Sequence, residues 1–277
     1  MINLRVVCSA VLFASSGLLF AQEHDGVTLI EPGILADSET LVPGQPLTVG
    51  IRLSIADGWH TYWENPGDSG IPVTVTWEVP EGVRVGPLQW PVPRRLVEPG
   101  DLEVYGYKDE VVLMARVFAR SGLDLEEVTL KASVDWLVCR ESCIPGDAEL
   151  TLTLPVADEA VPVNRELFAE YRDRLPRRLA LDADNGMKTD WKRDGKTLYL
   201  LLAGVPNGAS LEFYPLPGPG VMTGHSSPVD SWSGDADFEP ERVLSIPLES
   251  APSGLEGLRG VLVISGEDKK ERTGWYF

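Results

Sequence analysis

Cys139 and Cys143 are the residues of this chain whose type and spacing most directly offer chemistry. Only Arg140, Glu141 and Ser142 separate them, and the one other cysteine of the 277 residues is Cys8. Two thiols this close can do three things. As a structural staple, a bond closing so small a loop contributes about 2 kcal/mol, and scaffolds that depend on disulfides are much smaller than this chain. As a reversible dithiol, a partly exposed pair at a strand end is open to a partner's thiolate. As a metal site, two thiolates four positions apart can hold a soft ion such as Cu(I). Met222 and His225, in a Gly-rich loop, are the nearest candidates for further ligands, but no spacing supports them. Copper-delivery proteins of thioredoxin fold carry a CxxxC at a helix start, whereas Pro145-Gly146 and the strand pattern after it argue against a helix here. Redox exchange is the favoured reading, with the staple and the metal site as alternatives. Arg140 would favour a thiolate and Glu141 would oppose it.

The elements that position the pair follow from period-two alternation. Val128, Leu130, Ala132, Val134, Trp136 and Val138 hold one face, and Thr129, Lys131, Ser133 and Asp135 the other. Continued one step, that register points Cys139 away from the core face. Ala148, Leu150, Leu152, Leu154 and Val156 resume the alternation, so the cysteines sit at the mouth of a hairpin. Residues 47–55 and 73–79 alternate in the same way. Turn signals fall at Ala56-Asp57-Gly58, Asn65-Pro66-Gly67-Asp68, Pro80-Glu81-Gly82 and Glu98-Pro99-Gly100. Residues 28–156 therefore read as an immunoglobulin-like sandwich of two antiparallel sheets. Residues 157–176 form a linker with a helix over 164–175, capped by Asn164 and stopped by Pro176, with Leu167, Phe168, Tyr171 and Leu175 on one face. Residues 177–277 resume short strands at 198–202, 244–248 and 261–264, as a second, smaller, mostly β domain. The fold class is all-β.

Composition narrows the partners. Lys and Arg total 24 against 42 Asp and Glu, a net charge of −18. That balance argues against a nucleic-acid backbone and anionic lipid as binding surfaces. Residues 1–21 read as a secretory signal, with Arg5 before an apolar stretch at 6–20 and cleavage expected after Ala21. Cys8 would leave with it. No later apolar run approaches a membrane span, so the mature product is expected in the periplasm, where disulfides form. Trp59, His60, Tyr62 and Trp63 form an aromatic cluster. A sugar-stacking platform is one reading; core filling, with alternate members edging the cysteine loop, is favoured. His60 reads as a satisfied or solvated side chain rather than a base. Phosphate-loop, zinc-spacing and nucleophile-elbow motifs are absent.

Three ordered motifs carry a family resemblance. They are Gly58-Trp59-His60-Thr61-Tyr62-Trp63-Glu64-Asn65-Pro66-Gly67-Asp68-Ser69-Gly70-Ile71-Pro72, then Tyr105-Gly106-Tyr107, then Val138-Cys139-Arg140-Glu141-Ser142-Cys143-Ile144-Pro145. Together they resemble the amino-terminal periplasmic region of DsbD-type thiol:disulfide interchange proteins, and the ScsB-like branch in particular. The resemblance covers residues 28–156 strongly and 177–277 loosely. It implies an immunoglobulin-like domain whose cysteine pair relays electrons and needs no cofactor. A thioredoxin-like periplasmic domain, fed through a membrane segment, would reduce it, and it would reduce oxidised exported proteins. By this resemblance Cys143 forms the mixed disulfide and Cys139 resolves it. Glu103-Val104-Tyr105-Gly106 aligns with a short cap loop that shields the pair, and Tyr62 with an aromatic beside it. The best-known DsbD domains separate their cysteines by five residues and carry Phe in the cap; here the spacing is three and the position is Val104. The chain ends at Phe277 without a membrane segment or a thioredoxin-like domain. Separate partners, thioredoxin-like proteins and a separate membrane electron-transfer protein, are therefore expected. The rival is a non-catalytic immunoglobulin-like binding module with a structural disulfide, or a Cu(I)-handling protein.

Overall fold

Alternating apolar and polar residues punctuated by Gly and Pro turns fold here into short and medium strands with a single intervening helix among the described residues. The computed structural model describes residues 22–24, 27–178, 187–216, 222–250, 258–266 and 272–276. The expected signal at 1–21, with Cys8, lies outside them. In chain order the strands are β1 (Gln22–His24), β2 (Val27–Ala36), β3 (Pro46–Ile55), β4 (His60–Gly67), β5 (Thr74–Glu78), β6 (Val83–Val85), β7 (Arg94–Glu98), β8 (Leu102–Tyr107), β9 (Glu110–Ala119), β10 (Glu127–Cys139) and β11 (Cys143–Pro155). After the helix α1 (Arg165–Asp173) come β12 (Arg177–Arg178), β13 (Lys188–Asp194), β14 (Thr197–Ala203), β15 (Ser210–Leu216), β16 (Met222–Thr223), β17 (Ser227–Val229), β18 (Arg242–Ser250), β19 (Arg259–Ser265) and β20 (Arg272–Tyr276).

Among the described residues, one sheet runs β1-β2-β3-β9-β6 and faces a second that runs β11-β10-β4-β8-β7, with β5 also on β10. Ile51 and Leu53 from the first sheet meet Trp63, Val134 and Trp136 from the second in a shared core. This is the immunoglobulin-like sandwich that the alternation predicts. A second β domain follows, with sheets β12-β20-β19-β15 and β13-β14-β18-β16 closed over Leu200, Phe213, Ile246 and Leu262. Its Tyr214, Val261 and Val263 also join the sandwich core. The two parts therefore pack directly: Asn65 Nδ2 donates to the Pro215 carbonyl at 2.7 Å, and Trp63 meets Tyr214 edge to face.

Two local expectations change. The turn signal at Asn65-Pro66-Gly67-Asp68 does not end the strand: β4 continues to Gly67, with a register break between Tyr62 and Gly67 where it pairs with β8. The bulge absorbs the proline without interrupting the sheet. Asn164 precedes the helix, but it is left-handed and its side chain caps no helical N–H; its Nδ2 donates instead to the Ala36 carbonyl at 3.0 Å. Phe168 and Tyr171 are buried as expected, against the sandwich core. Among the described residues no helix is long and apolar enough to cross a membrane.

Candidate functional site

The hairpin of β10 and β11 pairs without a break from Glu127↔Pro155 to Cys139↔Cys143. The cysteines are its last cross-strand pair, with Cα atoms 4.2 Å apart and the sulfurs joined. That separation matches the close, non-hydrogen-bonded type of antiparallel pair. The unbroken register puts Val138 in the main core and Cys139 on the opposite face, as the alternation predicts. The opposite face is not open, however. Cys139 is only 2% exposed, beneath a small separate cluster of Tyr62 and Val104 with Leu96 and Leu137 at its margin. Cys143 is exposed.

The cover comes from strands far away in sequence. Next to β10, β4 sets His60 opposite Cys139 and Thr61 opposite Val138. Thr61 Oγ1 donates to the Leu137 carbonyl at 3.0 Å, which fixes that edge. Trp59 and Trp63 point into the main core, while Tyr62 lies on the cysteine face. All four aromatic-cluster residues are buried, which removes the sugar-stacking platform and leaves the core-filling reading. On the outer strands, Leu96 pairs with Val104 and Glu98 with Leu102. Over the Tyr62 ring runs the loop 68–72. Gly70 has a φ of +100°, and a Cβ there would stand 2.2 Å from Tyr62 Cε1. Only glycine fits both the backbone angle and the contact.

A buried polar group completes the site. Glu98, 8% exposed, accepts from the Tyr62 hydroxyl at 2.5 Å and from His60 Nε2–H at 2.9 Å, both at the same carboxylate oxygen. Tyr62 Oη is 3.6 Å from Cys143 Sγ. Its one proton is committed to Glu98, so Tyr62 offers its oxygen to a thiol at Cys143. Burial, then the bond to Glu98, pushes the Tyr62 phenol well above its ordinary value, and it stays protonated. Burial holds the His60 imidazole below its ordinary value even though Glu98 pulls the other way, so the ring is neutral. In the loop between the cysteines, the Arg140 guanidinium lies over the Trp59 ring at 5.3 Å.

The residues that the resemblance assigns to shielding separate into two groups. Tyr62 and Val104 meet at Cys139. Glu103 and Tyr105 do not: successive strand residues face opposite ways, and both turn toward the second domain, where each lies 2.7 Å from His225 Nδ1. The segment expected as a cap loop is strand β8. Sequence reasoning missed Glu98, visible only as the residue before a Pro-Gly turn, and set aside His60. A histidine on β4, beside the cysteine-bearing β10, and a carboxylate at the end of β7, two strands further out, would have been the signal, but that arrangement is a matter of long-range pairing.

For metals, a Glu98 oxygen and both sulfurs lie within 4.8 Å of one another. Joined to each other, the sulfurs offer no thiolate, so ion binding would need the reduced pair. His225 does not serve as a copper ligand here, since both ring nitrogens are engaged by sandwich residues.

A family model described as the N-terminal region of thiol:disulfide interchange protein DsbD matches residues 29–155. Among solved structures, the N-terminal periplasmic domain of ScsB from Proteus mirabilis has a similar fold. Its TM-score is 0.62 at 17% identity, over 92% of this chain and 95% of that one. The reduced N-terminal domain of Neisseria meningitidis DsbD matches with a TM-score of 0.27 at 16% identity, over 46% of this chain and 90% of that one. No curated protein matches the sequence.

Proposed function

Because residues 29–155 belong to the family of DsbD-type N-terminal domains, we propose that this chain is an exported thiol–disulfide oxidoreductase. Its Cys139–Cys143 pair relays two electrons to or from periplasmic partners, among them thioredoxin-like proteins. The observation that carries this reading is the asymmetry of the pair. Cys143 is exposed and Cys139 is sealed under Tyr62 and Val104. Exchange requires in-line access to one sulfur, and a staple has no need of such an arrangement.

In the reducing direction, the Cys143 thiolate attacks one sulfur of a partner disulfide. A mixed disulfide forms and the partner's other sulfur leaves as a thiolate. The Cys139 thiolate then attacks Cys143 Sγ, which closes the Cys139–Cys143 bond and releases the partner as a dithiol. Two electrons move, and the two protons of the cysteine thiols end on the partner. The line from Cys143 through Tyr62 to Glu98 supplies a route for the first proton: the thiol gives to Tyr62 Oη, which already gives to the carboxylate. Cys139, buried beside that carboxylate, is disfavoured as a free thiolate by both desolvation and charge. Reclosure is favoured instead by proximity, because the hairpin holds Cys139 directly opposite Cys143 once Cys143 carries a partner. The reverse sequence, with a reduced thioredoxin-like partner attacking Cys143 Sγ, recharges the pair.

The test is the midpoint potential of the pair in a glutathione or dithiothreitol series. Exchange function predicts a value above about −300 mV, in the range of catalytic pairs. A bond that resists reduction below that value is a structural staple, and the proposal falls.

A further inference from the structure

The shield over Cys139 is held from behind by the second domain. Asp68 begins the loop that lies on the Tyr62 ring, and Glu103 immediately precedes Val104, which covers Cys139. These two acidic residues are tied to each other through backbone: Asp68 N–H donates to the Glu103 carbonyl at 3.0 Å, and Glu103 N–H donates to Asp68 Oδ2 at 2.9 Å. His225, from the second domain, bridges both side chains. Its Nε2 is 3.0 Å from the Asp68 carboxylate oxygens, and its Nδ1 is 2.7 Å from Glu103 Oε1 and from the Tyr105 hydroxyl. Next to it, Ser226 accepts from the Arg95 guanidinium, whose Nη1 also bonds Glu103. Arg95 precedes Leu96 of the same small cluster. Loop 68–72 and strands β7 and β8 thus present their front to the disulfide and their back to His225 and Ser226.

We propose that His225 is a positioning residue for the redox pair. By clamping Asp68 and Glu103 together it holds the loop and Val104 closed over Tyr62 and Cys139, and so keeps Cys139 reserved for resolving the mixed disulfide. The second domain is then part of the site's machinery. This rests on the redox reading above, but it makes a prediction that needs no partner. In a carboxylate–imidazole–carboxylate bridge, losing the ring leaves two carboxylates facing each other across the gap, and like charges push the loop and strand apart.

The experiment is alkylation of the reduced full chain with iodoacetamide, read at each cysteine by mass spectrometry across pH. In the native protein Cys143 labels first and Cys139 slowly. His225→Ala is expected to raise Cys139 labelling by about fivefold while leaving Cys143 labelling unchanged. It should also move the pH profile of Cys139 to lower pH as water reaches the thiol. Glu98, His60 and Tyr62, the titratable groups facing Cys139, are untouched by the substitution. A loss of general packing would not move one thiol's profile selectively. Unchanged Cys139 labelling and profile in a folded His225→Ala chain would overturn the clamp. Should that variant not fold, Asp68→Asn, which removes one anchor and keeps the ring, carries the same expectation with a smaller rise, and no rise would overturn it. Failure of the native pair to exchange with any thiol partner would instead sink the redox reading, and the labelling outcome would stand apart from it.

Discussion

Cys139 and Cys143 face each other as the terminal pair of one hairpin, yet only Cys143 is exposed. The difference is made outside the hairpin, by Tyr62 on β4 and Val104 on β8. The chemistry of the pair is therefore set by strand neighbours, and each neighbour makes a prediction.

Val104 is fully buried against Tyr62 and Cys139. Val104→Ala removes two methyl groups from a closed cluster and is expected to cost about 2 kcal/mol in chemical denaturation. The same variant should speed alkylation of Cys139 in the reduced chain. Neutral stability with unchanged labelling would mean that Val104 is not part of the seal.

Gly70 is a demanding position. Gly70→Ala places a methyl group inside the Tyr62 ring at a φ that side chains rarely adopt. We expect a loss of about 2 kcal/mol or more. The near-ultraviolet dichroism of the tyrosines should change as the loop lifts. A melt identical to that of the native chain would place the loop elsewhere.

Glu98 puts a negative charge beside both sulfurs, within 4.8 Å. Glu98→Gln keeps the shape and removes the charge. A nearby anion disfavours a thiolate, so this variant should label Cys143 about threefold faster at neutral pH, with its pH profile displaced downward. An undisplaced profile would show that the carboxylate does not act on the thiol.

His60 gives a pH dependence of stability. Its folded-state value lies below the ordinary 6.5 because burial disfavours the imidazolium. The unfolded chain therefore binds more protons in the window between the two values. Its contribution to stability is complete above about pH 6.5 and is lost as pH falls toward the lowered folded value. Denaturant midpoints measured from pH 7 downward should fall through this window in the native chain. In His60→Gln that part of the slope should be absent.

Much of this architecture is legible in the residues themselves. The alternation from Val128 to Val138 predicts β10, its register, and the face on which Cys139 lies. The motif order predicts the match of residues 29–155 to the DsbD N-terminal family model. What is not legible is the cover. His60-Thr61-Tyr62-Trp63 shows no period of two because both faces of β4 are packed, one on the sandwich core and one on the disulfide. Glu98 is a bare acidic residue before a turn until β7 pairs with β8 and β8 with β4. Glu103 and Tyr105 align with a shield, but alternate strand residues face opposite ways, so only Val104 reaches the cysteines. Asn65-Pro66-Gly67 reads as a turn locally, but β4 runs on through a register break to pair with β8 at Gly67↔Val104. Each miss is a case where long-range pairing decides what a local pattern leaves open.

The central claim is that partners enter through Cys143 and that Cys139 closes the cycle. Trapping tests it most directly. The reduced Cys139→Ser and Cys143→Ser chains are each mixed with an oxidised thioredoxin-like protein, and the adducts are resolved by non-reducing electrophoresis and mass spectrometry. The account predicts a stable mixed disulfide at Cys143 in the Cys139→Ser chain and little or none in the Cys143→Ser chain. Equal trapping by both chains, or trapping through Cys139 alone, would contradict it.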